Sequence, residues 1–386
     1  MHAPQVPAPA VLRPLVELAP PVLHTELRKG VLGQEDVLRA VSLALYKHIT
    51  GRVSGHILLM GSSGTGKTTI MGNIQRLYRE LPELAPFRAM AITNANMLVD
   101  ADRLEFRPER LLSAIEQRAR SLLGRPATAE ELVAVMERAT ICIDEVDKMA
   151  TAVGGKTNPV GIVLQQGLLT MMEGSVVTLR TNVLVNGQEQ PRTLEVRTGG
   201  MMFLCGGAFE GLYDQVYSRV TAPDSGEKTF SQMVRGADGR LRIEARFRLG
   251  DYFKMEDLYH YGMVPQFLAR FDSVQLMADL DLAVLKEILL FGNDSPLARS
   301  RAYFSMLGVR LELDDLAAGL IAEQALKNAR AGARSLRTVF TRLIQPLEYD
   351  PWNSGLLQPL ADGTLQAVIT AEYVRLALGL PASAER

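Results

Sequence analysis

The segment Gly61–Thr68, with the sequence GSSGTGKT, restricts the fold of this chain more than any other feature. It matches the pattern G-x-x-x-x-G-K-[ST], and it lies between a predicted apolar strand, Gly55–Met60, and a predicted helix, Lys67–Leu81. Glycines allow backbone N–H groups to converge on phosphate oxygens, and the positive end of the helix attracts the same anion. The segment therefore predicts a loop that binds the phosphates of a nucleotide.

Short apolar strands alternate with helices over the first 280 residues, which predicts a parallel sheet covered on both faces. The predicted strands are Gly55–Met60, Arg88–Thr93, Thr140–Asp144, Met201–Cys205 and Asp272–Met277. Alternation within Ser175–Thr198, around the turn residues Asn186–Gly187, predicts an inserted β-hairpin. From Leu282 onward the apolar spacing is helical. We expect an α/β fold with a five-stranded parallel sheet, flanking helices and a small α-helical C-terminal domain.

The composition is that of a globular protein with two or three domains, since 47% of the 386 residues are hydrophobic and 22% are charged. We expect a proline-rich flexible arm over residues 1–22, a large α/β domain over 23–280 and a small α-helical domain over 281–386. The net charge is −1, and no apolar run is long enough to span a membrane. Because Cys142 and Cys205 lie in apolar segments without metal spacing, we expect buried thiols in a cytoplasmic protein.

A second motif, ICIDEVDKM at Ile141–Met149, places two acids at the end of a predicted strand. In parallel sheets, the carboxyl ends of the strands border the ligand-binding crevice. We expect Asp144 to hold Mg²⁺ together with the Thr68 hydroxyl, and Glu145 to polarise the water that attacks ATP. Lys67 would contact the β- and γ-phosphates. The predicted phosphate-binding residues are Gly61, Ser62, Ser63, Gly64, Thr65, Gly66, Lys67, Thr68 and Thr69.

The two motifs together resemble the AAA+ ATPases, and further segments resemble the ClpX/HslU branch, the unfoldases of ATP-dependent proteases. These segments are VLGQE (31–35), QQGLLTMMEG (165–174), CGGAFEGL (205–212), YGMVPQFLARF (261–271) and AGARSLRTVF (331–340). The resemblance covers residues 23–350. It implies that Val31 and Leu32 line the adenine pocket, that Arg270 is an arginine finger and that Arg334 is the sensor-2 arginine. It also implies a homo-oligomeric ring, a hexamer, that acts on a protein substrate.

The chain departs from the ClpX pattern where ClpX contacts its substrate and its peptidase. The Gly-Tyr-Val-Gly loop is absent from Asp100–Pro108, where Phe106 is a candidate replacement, and the Arg-Lys-His loop is absent from Arg180–Arg192. Residues 221–250 lack an Ile-Gly-Phe tripeptide, and we find no N-terminal zinc-binding domain. We therefore expect an intact ATPase with an altered grip on its substrate, and no ClpP-type peptidase as a partner.

Three functions remain open at this point: an ATP-driven protein remodeller, a nucleotide-switched assembly factor or clamp, and a DNA-acting motor or loader. The third rests on an arginine cluster, Arg235, Arg240, Arg242, Arg246 and Arg248, within a predicted β-ribbon. We do not expect nucleic acid as a partner, because the chain is nearly neutral and carries no nucleic-acid module. We further expect Asp147 and Lys148 to form a surface ion pair.

Overall fold

The computed structural model describes residues 18–51, 55–222, 231–235, 241–245, 247–327 and 332–381, with the backbone alone for 231–235 and 241–245. These residues divide into two compact units. The first unit contains residues 43–60 and 78–276, and the second contains residues 18–42, 61–77 and 277–381, less the gaps given above. The proline-rich residues 1–17 lie outside the described residues.

The first unit is built on a five-stranded sheet in the order β13 (Ser273–Leu276), β1 (Ile57–Met60), β10 (Met202–Gly207), β5 (Thr140–Asp144) and β2 (Met90–Asn94). All four strand pairs are parallel, which confirms the predicted sheet. Strands β1 and β10 are buried along their whole length, since they lie inside the sheet and their residues are almost wholly apolar. Each strand lies within two residues of its predicted bounds: β1 Ile57–Met60, β2 Met90–Asn94, β5 Thr140–Asp144, β10 Met202–Gly207 and β13 Ser273–Leu276.

The helices between these strands have local start and stop signals. Pro108 occupies the first turn of α4, and Gly124 ends that helix in the left-handed conformation (φ 64°). The sequence analysis missed α5, although Thr128 and Glu131 form a capping box at its start. Within the described ranges, no helix is both long and apolar enough to span a membrane. The helices up to β11 are α1 Pro20–Arg28, α2 Glu35–Ile49, α3 Lys67–Glu80, α4 Pro108–Leu123, α5 Ala129–Met136, α6 Pro159–Met172 and α7 Leu212–Thr221.

The predicted β-hairpin is confirmed as β8 (Val176–Val185) and β9 (Gln188–Arg197), which pair along their whole length. Asn186 (φ 50°) and Gly187 (φ 80°) form its turn, with the two positive φ values typical of a two-residue hairpin turn. One face of the hairpin is buried, through Leu179, Val183, Leu194 and Val196. Three shorter hairpins also occur: β3 Val99–Asp100 with β4 Glu105–Phe106, β6 Ala152–Val153 with β7 Lys156–Thr157, and β11 Ser231–Arg235 with β12 Leu241–Ala245.

Residues 255–268 form two helices, α9 (Met255–Tyr261) and α10 (Pro265–Leu268), which follow a short α8 (Leu249–Tyr252). Gly262, at φ 107°, ends α9. A Cβ at Gly262 would lie 3.0 Å from the backbone nitrogen of Thr151, so this turn depends on glycine. Apolar residues continue at helical spacing on both sides of the break, so periodicity alone does not reveal it.

The second unit contains the predicted C-terminal helices and a small sheet that the sequence analysis missed. The sheet has the order β14-β16-β15, and β14 alternates buried and exposed residues over only five positions. Five positions are too few for periodicity to distinguish a strand from a connection between two helices. Near the N-terminus, α1 begins at Pro20, within the arm predicted over residues 1–22, since proline favours the first helical turn. The C-terminal elements are α11 Leu282–Phe291, α12 Pro296–Met306, β14 Val309–Leu313, α13 Asp315–Leu326, α14 Ala333–Tyr349, β15 Leu357–Pro359, β16 Leu365–Ile369 and α15 Ala371–Leu378.

Candidate functional site

The predicted phosphate loop runs from the end of β1 to Lys67, the first residue of α3. Gly64 (φ 83°) and Gly66 (φ 106°) adopt left-handed conformations that side chains with a Cβ disfavour. The Thr65 hydroxyl donates a hydrogen bond of 2.9 Å to the carbonyl oxygen of Ser62. The loop therefore depends on its glycines for its shape, as a phosphate-binding loop requires.

Lys67 lies against the loop that precedes it. Its Nζ donates hydrogen bonds to the carbonyl oxygens of Gly61 (2.5 Å) and Ser62 (3.0 Å), and the side chain is buried. Phosphate oxygens are charged acceptors and form stronger hydrogen bonds with an ammonium group than neutral carbonyls do. An anion bound by the loop, at the start of the helix, would therefore compete with these carbonyl oxygens for the ammonium group. Thr68 and Thr69 follow it and are exposed.

Gln34 contacts the phosphate loop, and the sequence analysis did not select it. Its Nε2 donates to the carbonyl oxygens of Thr65 (3.1 Å) and Ala278 (2.9 Å), and its Oε1 accepts from the Ala278 N–H (2.9 Å). Gln34 is 1% exposed, so these hydrogen bonds satisfy a buried amide. The signal was its place within VLGQE, two residues after Leu32, which is half-buried, and three after Val31, which is buried.

The predicted sensor-2 helix, α14, begins against the phosphate loop. The Ala333 N–H donates a hydrogen bond of 3.0 Å to the carbonyl oxygen of Gly64. A Cβ on Gly332 would lie 2.8 Å from the carbonyl carbon and oxygen of Gly64, so the approach of the two backbones requires glycine. Arg334 is the second residue of this helix and is exposed. The structure thus brings the predicted sensor-2 segment to the loop, although the two are about 270 positions apart in the sequence.

The two predicted acids lie where β5 ends. Asp144 is the last residue of the strand, and its Oδ1 accepts a hydrogen bond of 2.9 Å from the Glu145 N–H. Glu145 has φ 62°, a conformation that is rare for residues other than glycine and that clusters at functional sites. Its Oε2 lies 2.8 Å from Nζ of Lys148. That hydrogen bond is the main cause of the raised pKa of Lys148.

Lys148, the expected partner of Asp147, forms an ion pair with Glu145, and the charge of Asp147 also raises the pKa of Lys148. The Asp147 Oδ1 accepts a hydrogen bond of 3.1 Å from the Ala208 N–H, which joins the ends of β5 and β10. Burial raises the pKa of Tyr261 to about 12, and the negative charges of Asp147 and Glu210 contribute to the increase. Asp147 is therefore a polar group beside the end of β10.

Arg270, the predicted arginine finger, follows α10 and is exposed. Its guanidinium forms an ion pair with the carboxylate of Glu173, the residue that ends α6. An exposed ion pair of this kind contributes little to stability, so it can open at low cost.

Two other regions singled out by the sequence are the candidate substrate loop, Asp100–Pro108, and the arginine cluster. Phe106 is half-buried against α6, where a Cβ on Gly167 would lie 2.2 Å from its ring, while Leu104 is exposed beside the β3–β4 turn. Of the arginine cluster, Arg248 is exposed; Arg240 and Arg246 lie outside the described residues, and only the backbone of Arg235 and Arg242 is described.

Comparison with known proteins gives the family. Residues 52–274, more than half of the chain, match the family described as AAA domain (Cdc48 subfamily). The chain belongs to the AAA+ family. This AAA+ ATPase is similar to proteins named ATP-dependent Clp protease ATP-binding subunit ClpX. The identity is 29% to that of Borrelia duttonii, over 86% of the chain and 74% of the relative.

Two further relatives of the AAA+ ATPase carry the same name. The identity is 27% to ClpX of Bacteroides thetaiotaomicron, over 87% of the chain and 78% of the relative. It is 29% to ClpX of Azotobacter vinelandii, over 85% of the chain and 73% of the relative. The similarity therefore extends well beyond the AAA domain, and the chain is a ClpX-like AAA+ ATPase.

Proposed function

We propose that this AAA+ ATPase binds ATP with Mg²⁺ at Gly61–Thr69 and uses its hydrolysis to remodel a protein partner. The observation that carries the proposal is the hydrogen bond from Ala333 N–H to the Gly64 carbonyl, supported by the glycine approach at Gly332. A nucleotide on this loop would alter the backbone that the start of α14 contacts. Nucleotide state would then reach the C-terminal helices through Arg334 and its neighbours.

The proposed hydrolytic residues each supply one chemical requirement. Lys67 would neutralise charge on the β- and γ-phosphates, and Glu145 would accept a hydrogen bond from the attacking water. The hydroxyl of Thr68 and the carboxylate of Asp144 would hold Mg²⁺, which prefers hard oxygen ligands and keeps several of its waters. The described residues contain no cluster of three or more metal-binding side chains, and nucleotide-bound Mg²⁺ requires fewer.

The proposed assembly is a ring, and a hexamer is the form that the ClpX resemblance implies. Phosphoryl transfer needs positive charge at the γ-phosphate, and an arginine supplied by a neighbouring subunit is one source of it. Arg270 is exposed, and its guanidinium pairs with Glu173 on its own subunit. We propose that it serves the nucleotide of the next subunit.

The hydrolytic role of Glu145 is tested by Glu145→Gln, which keeps the size of the side chain and removes the basic carboxylate. We expect ATP turnover to fall by about 100-fold or more, with ATP affinity retained. Glu189→Gln, an exposed change on the β8–β9 hairpin, is the control. Normal turnover in Glu145→Gln would show that another group activates the water.

The role of Arg270 across a subunit boundary is tested by mixing two inactive variants, Arg270→Ala and Lys67→Ala. A Lys67→Ala subunit still carries Arg270, so it can complete the site of an Arg270→Ala neighbour. We expect the mixture to regain turnover, and we expect the turnover per wild-type subunit to rise with protein concentration. A mixture without activity, or a rate per subunit that does not change on dilution, would contradict the ring.

A nucleotide-switched clamp that does not thread polypeptide is the second candidate. It is favoured by the position of Phe106, whose ring lies against Gly167 and leaves Leu104 as the exposed apolar side chain of this hairpin. Turnover stimulated by unfolded protein, with loss of the fluorescence of a folded reporter, would support threading. Slow turnover that unfolded protein does not change would support the clamp. In either case we propose action without a ClpP-type peptidase, since residues 221–250 lack Ile-Gly-Phe.

A further inference from the structure

The outer edge of β2 borders a cleft that the ATPase function does not use. Strand β2 is the last strand of the five-stranded sheet, and no strand among the described residues pairs with its outer edge. An edge strand presents unpaired N–H and C=O groups on alternate residues. Beside this edge lies a cleft of about 440 Å³, which is within the size range of ligand-binding pockets.

The walls of the cleft differ in chemistry. Ile92 of β2 is 41% exposed and Met97, just beyond the strand, is 62% exposed, so one wall is apolar and open to solvent. The other wall is the flank of α4, where the small residues Ser113 and Ala114 leave room beside the strand. Because Ala91 belongs to the core cluster beneath α4, alternation places Ile92 on the opposite face of the sheet.

Two arginines of α4 make the second wall basic. Arg110 donates hydrogen bonds of 3.0 Å to the carbonyl oxygens of Met97 and Val99, and these bonds hold the end of the cleft in shape. Arg118 lies two turns further along the helix and is exposed. In the part of the chain that the structure describes, its guanidinium has neither an ion pair nor a hydrogen bond. An acidic group bound here would find a cation that is not already neutralised.

We propose that this cleft binds an extended segment of a partner protein that adds as a sixth strand to β2. The segment alternates acidic and apolar residues. Its acidic face lies toward Arg118 on α4, and its apolar face continues the surface of Ile92 and Met97. Main-chain hydrogen bonds to β2 supply affinity, and the basic and apolar walls give specificity for the sequence of the segment. The proposal does not depend on the roles assigned to the phosphate loop.

Charge distinguishes this occupant from two others. Residues 1–17 of the chain contain Arg13 and, as the only acid, Glu17, together with four prolines that cannot donate to a strand. A second copy of the chain would have to bring an acidic, strand-forming edge to the same place. If residues 1–17 or a second copy of the chain occupied the cleft, the experiment below would give a different result.

The probe is a fluorescein-labelled peptide, TVEFEVT, titrated against the full-length protein and followed by fluorescence anisotropy. We expect saturable micromolar binding that weakens with added salt. TVKFKVT, with the opposite charge, is the first control and is expected not to bind. Two N-methylated versions of TVEFEVT, one for each set of alternate residues, are the second control. Strand addition requires that one version loses binding and the other retains it, because only one edge of the peptide faces β2.

Two pairs of protein variants test the place of binding. Ala114→Trp fills the cleft and is expected to weaken the probe by at least about tenfold, whereas Gln117→Trp, exposed on the same helix but outside the cleft, is not. Arg118→Glu is expected to weaken it by about fivefold or more at low salt, and Arg180→Glu on the β8–β9 hairpin is not. Circular dichroism checks the fold, and basal ATP turnover is expected to be unchanged in all four.

Several outcomes would overturn the proposal. Equal binding of TVKFKVT, loss of binding by neither or both N-methylated peptides, or an equal effect of Gln117→Trp and Ala114→Trp would exclude strand addition at this cleft. Binding that appears only after deletion of residues 2–17 would show that the arm is the occupant. If Ala114→Trp reduces the oligomer in sedimentation while the assembled wild-type protein does not bind the probe, the cleft is a contact between copies.

Discussion

The phosphate loop is contacted by single residues that lie outside its sequence motif. Gly332 and Gln34 contact the backbone of the loop from positions far away in the sequence, and neither is a charged residue. Glu145 combines a left-handed backbone with an ion pair to Lys148. At this scale the contacts that shape the loop are backbone approaches and buried hydrogen bonds.

Gly332→Ala tests the backbone approach at the loop. The added Cβ would lie 2.8 Å from the Gly64 backbone, which cannot move aside as a flexible side chain can. We expect a loss of about 1–3 kcal/mol in the free energy of unfolding, and weaker ATP binding. Gly363→Ala is the matched control, since Gly363 also has a positive φ (80°) but no atom within 4 Å of its added Cβ. If the two changes lower the free energy of unfolding equally in urea denaturation, the loss at Gly332 comes from backbone strain alone, which would contradict the close approach.

His48 gives the protein a pH dependence that can be traced to one side chain. Burial lowers its pKa to about 4, while its Nε2 lies 3.1 Å from the carbonyl oxygen of Arg138. The unfolded chain binds this proton near pH 6.5, so stability from the neutral imidazole is complete above pH 6.5 and is lost as the pH falls toward 4. Between pH 6.5 and pH 4, this difference in the pKa of His48 lowers the free energy of unfolding by roughly 3 kcal/mol.

His48→Gln retains a hydrogen-bond donor for the Arg138 carbonyl and removes the titrating group. We expect its urea denaturation midpoint to change less between pH 7 and pH 4 than that of the wild type. The remaining dependence would include His56, whose pKa burial also lowers. An unchanged pH dependence in His48→Gln would show that His48 is protonated at the same pH in the folded and unfolded chains.

At the scale of elements, the short β3–β4 hairpin is positioned by its contact with α6. Phe106 ends the hairpin, and its ring fills the space above Gly167 on the helix. The sequence offered Phe106 as a substitute for the missing aromatic loop residue, but this contact makes it an anchor for the hairpin. An exposed leucine, Leu104, is what the hairpin presents instead.

Gly167→Ala tests this anchor, because the added Cβ would overlap the Phe106 ring. We expect a loss of about 1–3 kcal/mol in unfolding free energy, and a smaller additional loss when Gly167→Ala is combined with Phe106→Ala. Gly72→Ala is the control: it lies inside α3 with open space around its added Cβ, so it is expected to stabilise by up to about 1 kcal/mol. Fully additive effects of the two changes would contradict the contact.

At the scale of the molecule, the C-terminal part of the second unit has a core of its own. A core cluster of the second unit is drawn wholly from the C-terminal part of the chain, between Leu280 and Val374. It combines helices α11 to α15 with the small β14-β16-β15 sheet. A segment with its own core and its own sheet is expected to fold by itself.

Residues 277–386 expressed alone are therefore expected to unfold cooperatively, with circular dichroism showing both helix and strand. Phe340, which is buried in this core, provides the internal check. Phe340→Ala is expected to cost about 3–5 kcal/mol and to lower the melting temperature of the fragment markedly. A fragment that melts without a cooperative transition would show that this core needs the rest of the chain.

The sequence by itself determined the parallel sheet, the β8–β9 hairpin, the glycine-rich loop and the position of Asp144 and Glu145 after a buried strand. These features follow from local spacing, since apolar periodicity and glycine or turn residues act over a few neighbouring positions. Only the tertiary structure decided that Gln34 bonds to Ala278, that Gly332 meets Gly64 and that Phe106 rests on Gly167. Such contacts join residues far apart in the chain, so no local pattern records them, and they arise only when the elements pack.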